Sequence, residues 1–266
     1  MTWGTSGLTV RFGDRVVLED VTISIEPGVV HAVIGGDGAG KSTLLRVLAG
    51  LGLEHNGDVV LPAQDRIGYM PSAGGVFGDL TVAENMDFVA AAYRLRDWKT
   101  RGDELLERAG LLRFGDRLVG DLSGGQRRKL AGSMALLPKP ELLVLDEVTT
   151  GVDPVSRMEL WRIIVGAAAT GTAVVAATTY LDEAERAEHV DLLHAGRLLA
   201  SGSPTSVIDS IPGIVTDEPS PIDRSTAWRH GRRWHQWHQT GATSPYRPTL
   251  EDAAIVHELL ATGVTP

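Results

Sequence analysis

Hydrophobic and polar positions follow two different periods in the first fifty residues. Residues 21–25 alternate apolar and polar side chains, which predicts a strand with one buried face. A turn signal at Pro27-Gly28 separates this segment from the mostly apolar run 29–34, which predicts a strand buried on both faces. Apolar residues then recur at helical spacing between 44 and 48, so the chain passes from strands to a helix.

Strands and helices alternate along most of the remaining chain. Thr81 to Glu84 has the spacing of a helix-capping box, and the helical pattern continues to about residue 137. Further strands are predicted near 59–60 and 67–69 and over 142–145, 172–177, 190–194 and 197–200, with helices over 154–169 and 180–188. This order predicts an α/β fold with a mostly parallel core sheet and an α-helical subdomain inserted at about 74–137.

The character of the sequence changes after Pro204. Residues 211–250 are rich in Pro, Ser, Thr, Arg, His and Trp, and residues 250–260 have the pattern of a short helix. We therefore divide the chain into a first domain over 1–210 and a C-terminal extension over 211–266, whose structure the sequence does not define.

Composition and charge narrow the classes of function. The 266-residue chain is 43% hydrophobic and 22% charged, which is typical of a globular protein. Its 25 basic and 34 acidic residues give a net charge of −9, which disfavours direct binding to nucleic acid or anionic lipid. It has no cysteine, which excludes disulfides and thiolate metal sites. No apolar run reaches the ~18 residues that span a bilayer, so we expect a cytoplasmic protein held at the inner face of the cell membrane by a protein partner.

A glycine-rich loop lies between the strand predicted over 29–34 and the helix that follows. It reads Gly35-Gly36-Asp37-Gly38-Ala39-Gly40-Lys41-Ser42-Thr43 and fits the phosphate-loop pattern. The glycines let consecutive backbone N–H groups turn towards an anion, and the helix adds the positive end of its dipole. We expect these residues to bind ATP, with Lys41 on the β- and γ-phosphates and the Ser42 hydroxyl on Mg²⁺.

Two acids end the apolar strand predicted over 142–145. A carboxylate at the carboxyl end of a parallel strand, beside a phosphate loop, is placed to bind Mg²⁺, and we assign this role to Asp146. Glu147 is placed to accept a proton from the attacking water. The alternative is a strand end followed by solvated acids, and the phosphate loop favours the functional interpretation.

A third motif, Leu122-Ser123-Gly124-Gly125-Gln126, resembles the signature of ATP-binding-cassette (ABC) ATPases. The resemblance covers about residues 7–210 and implies a P-loop NTPase cassette with an antiparallel β subdomain beside the parallel core. In that family Ser123, Gly124, Gly125 and Gln126 face the γ-phosphate of ATP held by a second cassette, which implies a head-to-tail dimer. A serine and glycines at a helix start also form an anion site by themselves.

Further positions resemble nucleotide contacts of the family. Phe12 lies 29 residues before Lys41, where the family places an aromatic ring that stacks on adenine, and the alternative is a core phenylalanine. Asp153 ends a segment that resembles the loop touching the opposite nucleotide. Segments 67–86, 181–185 and 248–253 are similar to the multidrug, antibiotic and polysaccharide exporters.

Two positions depart from the family pattern. Ser72 stands where the family has a glutamine that helps to hold Mg²⁺ and water, and Thr179 stands where it has a histidine on the γ-phosphate. We assign both residues to the catalytic site and Ser72 also to the Mg²⁺ site, although serine reaches less far and threonine carries no positive charge. Loss of one transition-state donor costs about 10²–10³ in rate in comparable sites. ATP binding is expected to survive because Lys41, Ser42 and Asp146 are present.

Two other segments have open interpretations. Residues 228–238 mix aromatic and basic residues with His235 and His238, which suggests either a nucleic-acid, membrane-surface or metal contact or a packing segment. Val76 and Phe77 lie where the family contacts its membrane subunits, and the alternative is a turn with one core anchor.

The motifs together predict an ATP-binding and ATP-hydrolysing subunit that powers transport, in the direction of export, through a separate transmembrane permease. One alternative is a degenerate cassette that binds ATP, hydrolyses it weakly, and acts in a heterodimer or as a regulatory module. Another is a soluble ABC ATPase without a transporter, although such proteins usually carry two cassettes or a coiled-coil insert. The cargo is not predicted, because in this family the cargo contacts lie on the membrane subunits.

Overall fold

The computed structural model describes residues 2–240 and 244–265, and residues 1, 241–243 and 266 lie outside this description. The described strands are β1 (Trp3–Phe12), β2 (Arg15–Ile25), β3 (Val30–Ile34), β4 (His55–Val60), β5 (Ile67–Met70), β6 (Leu142–Asp146), β7 (Ala173–Ala177), β8 (His189–His194), β9 (Arg197–Gly202), β10 (Ile214–Glu218), β11 (Ala227–His230) and β12 (Arg233–His238). The described α-helices are α1 (Lys41–Leu48), α2 (Val82–Ala92), α3 (Lys99–Arg108), α4 (Gly124–Leu136), α5 (Pro154–Ala169), α6 (Leu181–Ala184), α7 (Pro204–Asp209) and α8 (Leu250–Ala261). None of these helices combines the length and the apolar character needed to cross a bilayer.

Six strands form the central sheet in the order β5-β6-β7-β3-β8-β9. Neighbouring strands run parallel from β5 to β8, and β9 pairs antiparallel with β8 at the edge. β3, β6 and β7 are buried along their whole length because they lie in the middle of the sheet, with helices packed against it. The α/β fold with a mostly parallel core is therefore confirmed.

A second sheet, in the order β2-β1-β4, is wholly antiparallel. In β2 every second residue from Val21 to Ile25 is buried, as the alternation in the sequence predicts. These side chains pack with Leu44 and Leu48 of α1 in one apolar cluster. The antiparallel sheet therefore lies beside α1 and supports the helix that follows the glycine-rich loop.

Helices α2, α3 and α4 are inserted between β5 and β6 of the central sheet. Thr81 and Ser123 begin α2 and α4, and each forms a capping box with the residue three positions later, Glu84 and Gln126 respectively. Apolar side chains from all three helices join the main apolar core beside β3 and β6. The inserted helices are thus packed against the sheet as part of the same core.

The helix predicted over 180–188 is wrong in its length. α6 covers only Leu181–Ala184, and the chain then turns towards β8. The Glu188 N–H donates to Val30 O at 3.1 Å, and Glu188 Oε2 accepts from the Val30 N–H at 2.9 Å. Because of these contacts, residue 188 already lies beside β3, so the helix ends earlier than the sequence predicts.

The C-terminal extension contains a third sheet that the sequence did not predict. Its strands β10, β12 and β11 are antiparallel, and Trp237 of β12 is fully buried. α8 begins at its cap Thr249 and packs on α7, β8 and β9, so that Leu250 and Ala253 belong to the main apolar core. The domain division at residue 210 stays a prediction, and the extension is in direct contact with the rest of the chain.

Candidate functional site

The loop between β3 and α1 forms a cradle at the carboxyl edge of the central sheet. Close packing requires two of its glycines. A Cβ on Gly35 would overlap the carbonyl oxygen of Leu193, and a Cβ on Gly40, whose φ is 106°, would lie 2.6 Å from the Leu18 side chain. Gly36 has open space around it, so the loop stays accessible. The segment therefore has the form of an anion cradle at the start of a helix.

Lys41 is the first residue of α1, and it is almost fully buried. Its Nζ donates to Gly35 O at 2.8 Å and to Gly36 O at 3.1 Å. A buried ammonium group needs such partners, because desolvation without hydrogen bonds is costly. The carbonyl groups of the cradle thus hold the lysine charge beside the place where an anion would bind.

Ser42 and Asp146, which are 104 positions apart in the sequence, are in direct contact. The Ser42 hydroxyl donates to Asp146 Oδ1 at 3.0 Å. Burial at the end of β6 raises the pKa of Asp146, while the hydrogen bond from Ser42 and the charges of Arg46, Lys41 and Arg128 oppose the rise. A hydroxyl and a carboxylate are oxygen ligands of the kind that Mg²⁺ prefers, so this pair fits that cation.

Glu147 follows β6 with a φ of 50°, which is uncommon for a residue other than glycine. Its N–H donates to Ala177 O of β7 at 3.1 Å, which fixes the turn. Glu147 and the phosphate loop line one cleft of about 440 Å³. The cleft thus combines a carboxylate with Lys41 and Ser42, as the sequence predicted.

Phe12 also lines this cleft, at the end of β1, and half of its surface is exposed (50%). The interpretation as a core phenylalanine is therefore wrong, and its ring is free to stack on a ligand. Arg15 and Val17 of β2 line the same cleft and were not identified from the sequence. The register of the β1–β2 hairpin, in which Phe12 lies opposite Arg15, brings them there. The role of Phe12 as an adenine contact stays a prediction.

Arg128 of α4 is a further residue near the site that was not identified from the sequence. Burial lowers the pKa of its guanidinium, and the nearby carboxylates of Glu147 and Asp146 oppose this change. Its Nη1 is buried and has no hydrogen-bond partner among the described residues. Arg128 therefore adds a positive charge behind the two carboxylates that end β6, although its position in the sequence shows only that it belongs to the helix after the signature.

The signature residues lie away from the 440 Å³ cleft. Ser123 Oγ accepts from the Gln126 N–H at 3.2 Å, and Gln126 Oε1 accepts from the Ser123 N–H at 2.9 Å, so the motif caps α4. Gly125 lies against α5, where a Cβ would be 2.6 Å from Ser156 Oγ. Gly124 borders a separate cleft of about 250 Å³. One chain thus presents the phosphate loop and the signature at two different places.

The remaining predicted positions lie on exposed loops. Asp153 caps α5, because its Oδ1 accepts from two N–H groups of the first turn at 3.0 and 3.1 Å. Ser72 is exposed in the turn after β5, and Thr179 is exposed in the loop after β7. Neither of these two lines the 440 Å³ cleft, although both follow strands of the sheet that carries it. Their catalytic and metal-binding assignments stay predictions.

His235 and His238 do not form a joint metal site. They are three positions apart on β12 and therefore point to opposite faces of the strand. His235 Nδ1 lies 2.6 Å from Asp252 Oδ1, whereas His238 Nε2 lies 3.1 Å from Thr216 Oγ1. These contacts favour the interpretation of residues 228–238 as a packing segment.

A larger groove, of about 780 Å³, lies between α3, α4 and α5. Arg101, Lys139 and Arg162 are among its lining residues, together with apolar side chains from the same helices. None of the motif residues lines it. The smaller cleft is the better candidate, because the phosphate loop and Glu147 converge there.

Comparison with known proteins supplies the family context of these motifs. A family model described as ABC transporter matches residues 18–150. The probable multidrug ABC transporter ATP-binding protein YbhF of Escherichia coli (strain K12) is 37% identical over 222 residues, which are 78% of this chain and 38% of that protein. The chain therefore spans well under half the length of this relative.

A second relative and a solved structure cover more of their own length. The Nod factor export ATP-binding protein I of Cupriavidus metallidurans is 34% identical over 229 residues, which are 79% of this chain and 76% of that protein. A solved structure described as the ATP binding subunit of an ABC transporter superposes with a TM-score of 0.72 at 27% identity, over 79% of this chain and 92% of that one.

Proposed function

The chain belongs to the ABC transporter family of ATP-binding proteins, and we propose that it is the ATP-hydrolysing subunit that powers export through a separate membrane-spanning partner. The contact that carries the proposal is the 3.0 Å hydrogen bond between Ser42 and Asp146, beside the cradle and Lys41. A hydroxyl and a carboxylate in contact beside an anion cradle support this proposal, because a nucleoside triphosphate with Mg²⁺ requires oxygen ligands for the cation next to the phosphates.

In this proposal each group of residues at the cleft has its own role in ATP hydrolysis. The loop N–H groups and the start of α1 bind the phosphates, and Lys41 exchanges its bonds to Gly35 and Gly36 for bonds to phosphate oxygens. Glu147 accepts a proton from the attacking water. Ser42 and Asp146 would hold Mg²⁺, which neutralises charge on the phosphates when bound.

A second cassette completes the site in this proposal. Gly124 of the signature and the phosphate loop border different clefts of one chain, which supports the proposal that another cassette supplies the signature to a bound γ-phosphate. Asp153 begins α5 next to Gly125 and belongs to the same face. A head-to-tail pair would enclose two nucleotides, and closure of this pair is the motion that drives transport.

Export through a membrane partner is supported by the names of the relatives and by one exposed surface. Phe77 and Phe88 are 41% and 49% exposed, with ring centroids 4.6 Å apart, whereas Val76 packs against the main core. Exposed aromatic pairs of this kind favour contact with another protein. The cassette then lies at the inner face of the membrane without entering it.

A second candidate function is a cassette that binds ATP and hydrolyses it slowly. The observation behind it is that Ser72 and Thr179 replace longer or charged side chains and are both exposed outside the cleft. Such a cassette would work beside a competent one. A soluble ATPase without a transporter is the third possibility, and co-purification of a membrane protein with the chain would argue against it.

Nucleotide binding and turnover by the purified chain test the proposal. Lys41→Ala is expected to weaken binding of a fluorescent ATP analogue at least ~10-fold, because the phosphates lose their direct cation. Lys99→Ala, at the start of α3 and away from the cleft, is the matched control and should bind as the wild type does. Glu147→Gln should retain binding and abolish turnover. Wild-type affinity in Lys41→Ala would overturn the assignment of the site.

A further inference from the structure

Three side chains with metal-binding groups meet at the end of the central sheet opposite the phosphate loop. We name His31 of β3 with His189 and Asp191 of β8 the His–His–Asp cluster. His31 and His189 are register partners on adjacent parallel strands, and Asp191 is two residues further along β8 on the same face. The phosphate loop follows the other end of β3, about 13 Å from His31 at the rise of a strand, while Asp191, the register partner of Val33, lies nearer to it.

The distances within the His–His–Asp cluster suit a shared ligand. One potential ligand atom from each residue lies within 4.8 Å of the others. His189 Nε2 and Asp191 Oδ1 are 3.4 Å apart, close to the roughly 3.3 Å that separates two ligands of a tetrahedral ion at 2.0–2.1 Å each. The rings of His31 and His189 are 4.7 Å apart between centroids. The sheet register, and not a chance surface encounter, fixes this arrangement.

Burial distinguishes the cluster from an ordinary surface group. His31 is 2% exposed and Asp191 is 1% exposed. Nδ1 of His31 is buried without a hydrogen-bond partner among the described residues, and its Nε2 accepts only a long 3.3 Å bond from the Glu26 N–H. An unpaired buried polar atom requires an explanation, because native proteins satisfy nearly all such groups.

We propose that the His–His–Asp cluster binds one Zn²⁺ ion, through Nδ1 of His31, Nε2 of His189 and the carboxylate of Asp191. Two imidazoles and a carboxylate suit Zn²⁺, whereas Mg²⁺ prefers a set of oxygen ligands. Ser201 Oγ, which lies 2.9 Å from His189 Nε2 and donates to Asp191 Oδ1 at 2.7 Å, or a water completes the coordination. The partly exposed ring of His189 provides the path of entry.

Binding rearranges protons and one hydrogen bond. The proton on Nδ1 of His31 moves to Nε2, which gives up the long contact with the Glu26 amide, and the proton on Nε2 of His189 moves to Nδ1 of that ring. The ion then links β3 to β8, and through Ser201 to β9. We expect it to act on the stability of the sheet and not on the nucleotide, since none of its three ligands lines the nucleotide cleft.

The test uses the full chain, purified without a polyhistidine tag, treated with a chelator, freed of nucleotide and titrated with ZnCl₂ alone. We expect one equivalent to bind, and at 100-fold excess over the Kd the Tm should rise by about 5–10 °C. Added Co²⁺ should give the visible absorption of a four-coordinate ion at the same stoichiometry.

Two variants and one control make the result specific. His189→Gln and Asp191→Asn should each lose the Zn²⁺-dependent rise in Tm, and His189 is the safer site because 30% of its side chain is exposed. His194→Gln is the matched control, since His194 lies on the same strand, is 31% exposed and pairs with Glu258. No binding by the wild type, or an unchanged rise in His189→Gln, would overturn the proposal. ATP binding should be unaffected in all variants, so failure here is distinguishable from failure of the nucleotide site.

Discussion

Arg157 and Glu183 form an ion pair, with Nε of Arg157 2.9 Å from Oε1 of Glu183, and the glutamate side chain is only 2% exposed. The other oxygen, Oε2, accepts hydrogen bonds from Thr149 Oγ1 at 2.8 Å and from Thr178 Oγ1 at 2.7 Å. One buried carboxylate therefore ties together the loop after β6, the end of β7 and the first turns of α5. These segments carry Glu147 and Thr179, which we predict to be catalytic, and Asp153, which lies beside the signature residue Gly125.

Replacement of Glu183 should loosen these three segments at once. Glu183→Gln replaces one acceptor oxygen by an NH₂ group, so buried hydrogen bonds to a charged acceptor are lost, at a cost of about 1–3 kcal/mol, while Arg157 keeps its contact with Asp182. We expect a loss of this order in the free energy of unfolding, measured by urea denaturation. Asp182→Asn is the control, because Asp182 contacts the same arginine at 3.2 Å but is 61% exposed, so its loss should cost under about 1 kcal/mol. Equal effects of the two variants would contradict this account.

The contact between α4 and α5 depends on the lack of a side chain at Gly125. In Gly125→Ala the new Cβ would lie 2.9 Å from Ser156 Cβ, which cannot rotate away. Overpacking of this kind costs about 1–3 kcal/mol, and it should displace the signature from its place beside Asp153. Gly124→Ala has nothing within 4 Å of its added Cβ and should be at least as stable in urea as the wild type. A stable Gly125→Ala protein would show that the helices can separate freely.

The parts of the site that could be predicted from the sequence are those that lie in contiguous motifs. The phosphate loop is contiguous, and Asp146 follows from a rule about the ends of parallel strands, so both were predictable. Arg128 and Glu183 act through contacts across separate elements, which no local pattern records. The strand β12 was missed because His235, Gln236 and Trp237 are consecutive and all buried. Both faces of this strand are covered, so the polar and apolar alternation of a half-buried strand is missing.

An imidazole introduced at position 179 should speed hydrolysis. If Thr179 replaces a transition-state donor, Thr179→His should raise the turnover number by about 10–100-fold without a matching change in KM. Thr179→Val provides the control, because it has no donor and should turn over no faster than the wild type. Phosphate release by the isolated chain measures both. A wild-type rate of about 1 per second or faster, without any partner cassette, would contradict the slow-turnover candidate.

Asp252 should make the stability of the C-terminal extension depend on pH. Burial acts to raise the pKa of this carboxyl, but hydrogen bonds from Thr249, His235 and Tyr246 outweigh it, so the folded pKa lies below the usual value. The carboxylate therefore stabilises the fold above the unfolded pKa of about 3.9 and loses this effect as the pH falls through the folded pKa.

The comparison of Asp252→Asn with the wild type measures this contribution. Near pH 7 the variant should be less stable by about 2–4 kcal/mol in urea, because several buried donors lose a charged acceptor. The difference should shrink only in strongly acidic solution, below the usual carboxyl range. Glu251→Gln, whose side chain is 53% exposed next to Asp252, is the control and should follow the wild type at every pH. If the difference in the free energy of unfolding between Asp252→Asn and the wild type did not change with pH down to pH 2, the charge of Asp252 would not be its cause.

The position of α8 bears on the order in which the molecule acquires its structure during synthesis. Leu250 and Ala253 complete a core whose other members come mainly from the central sheet, the inserted helices and α5. The ribosome makes these two residues after everything they cover. A nascent chain that lacks α8 therefore leaves the apolar surface under these two residues open to solvent, and uncovered apolar surface of this kind promotes aggregation during folding.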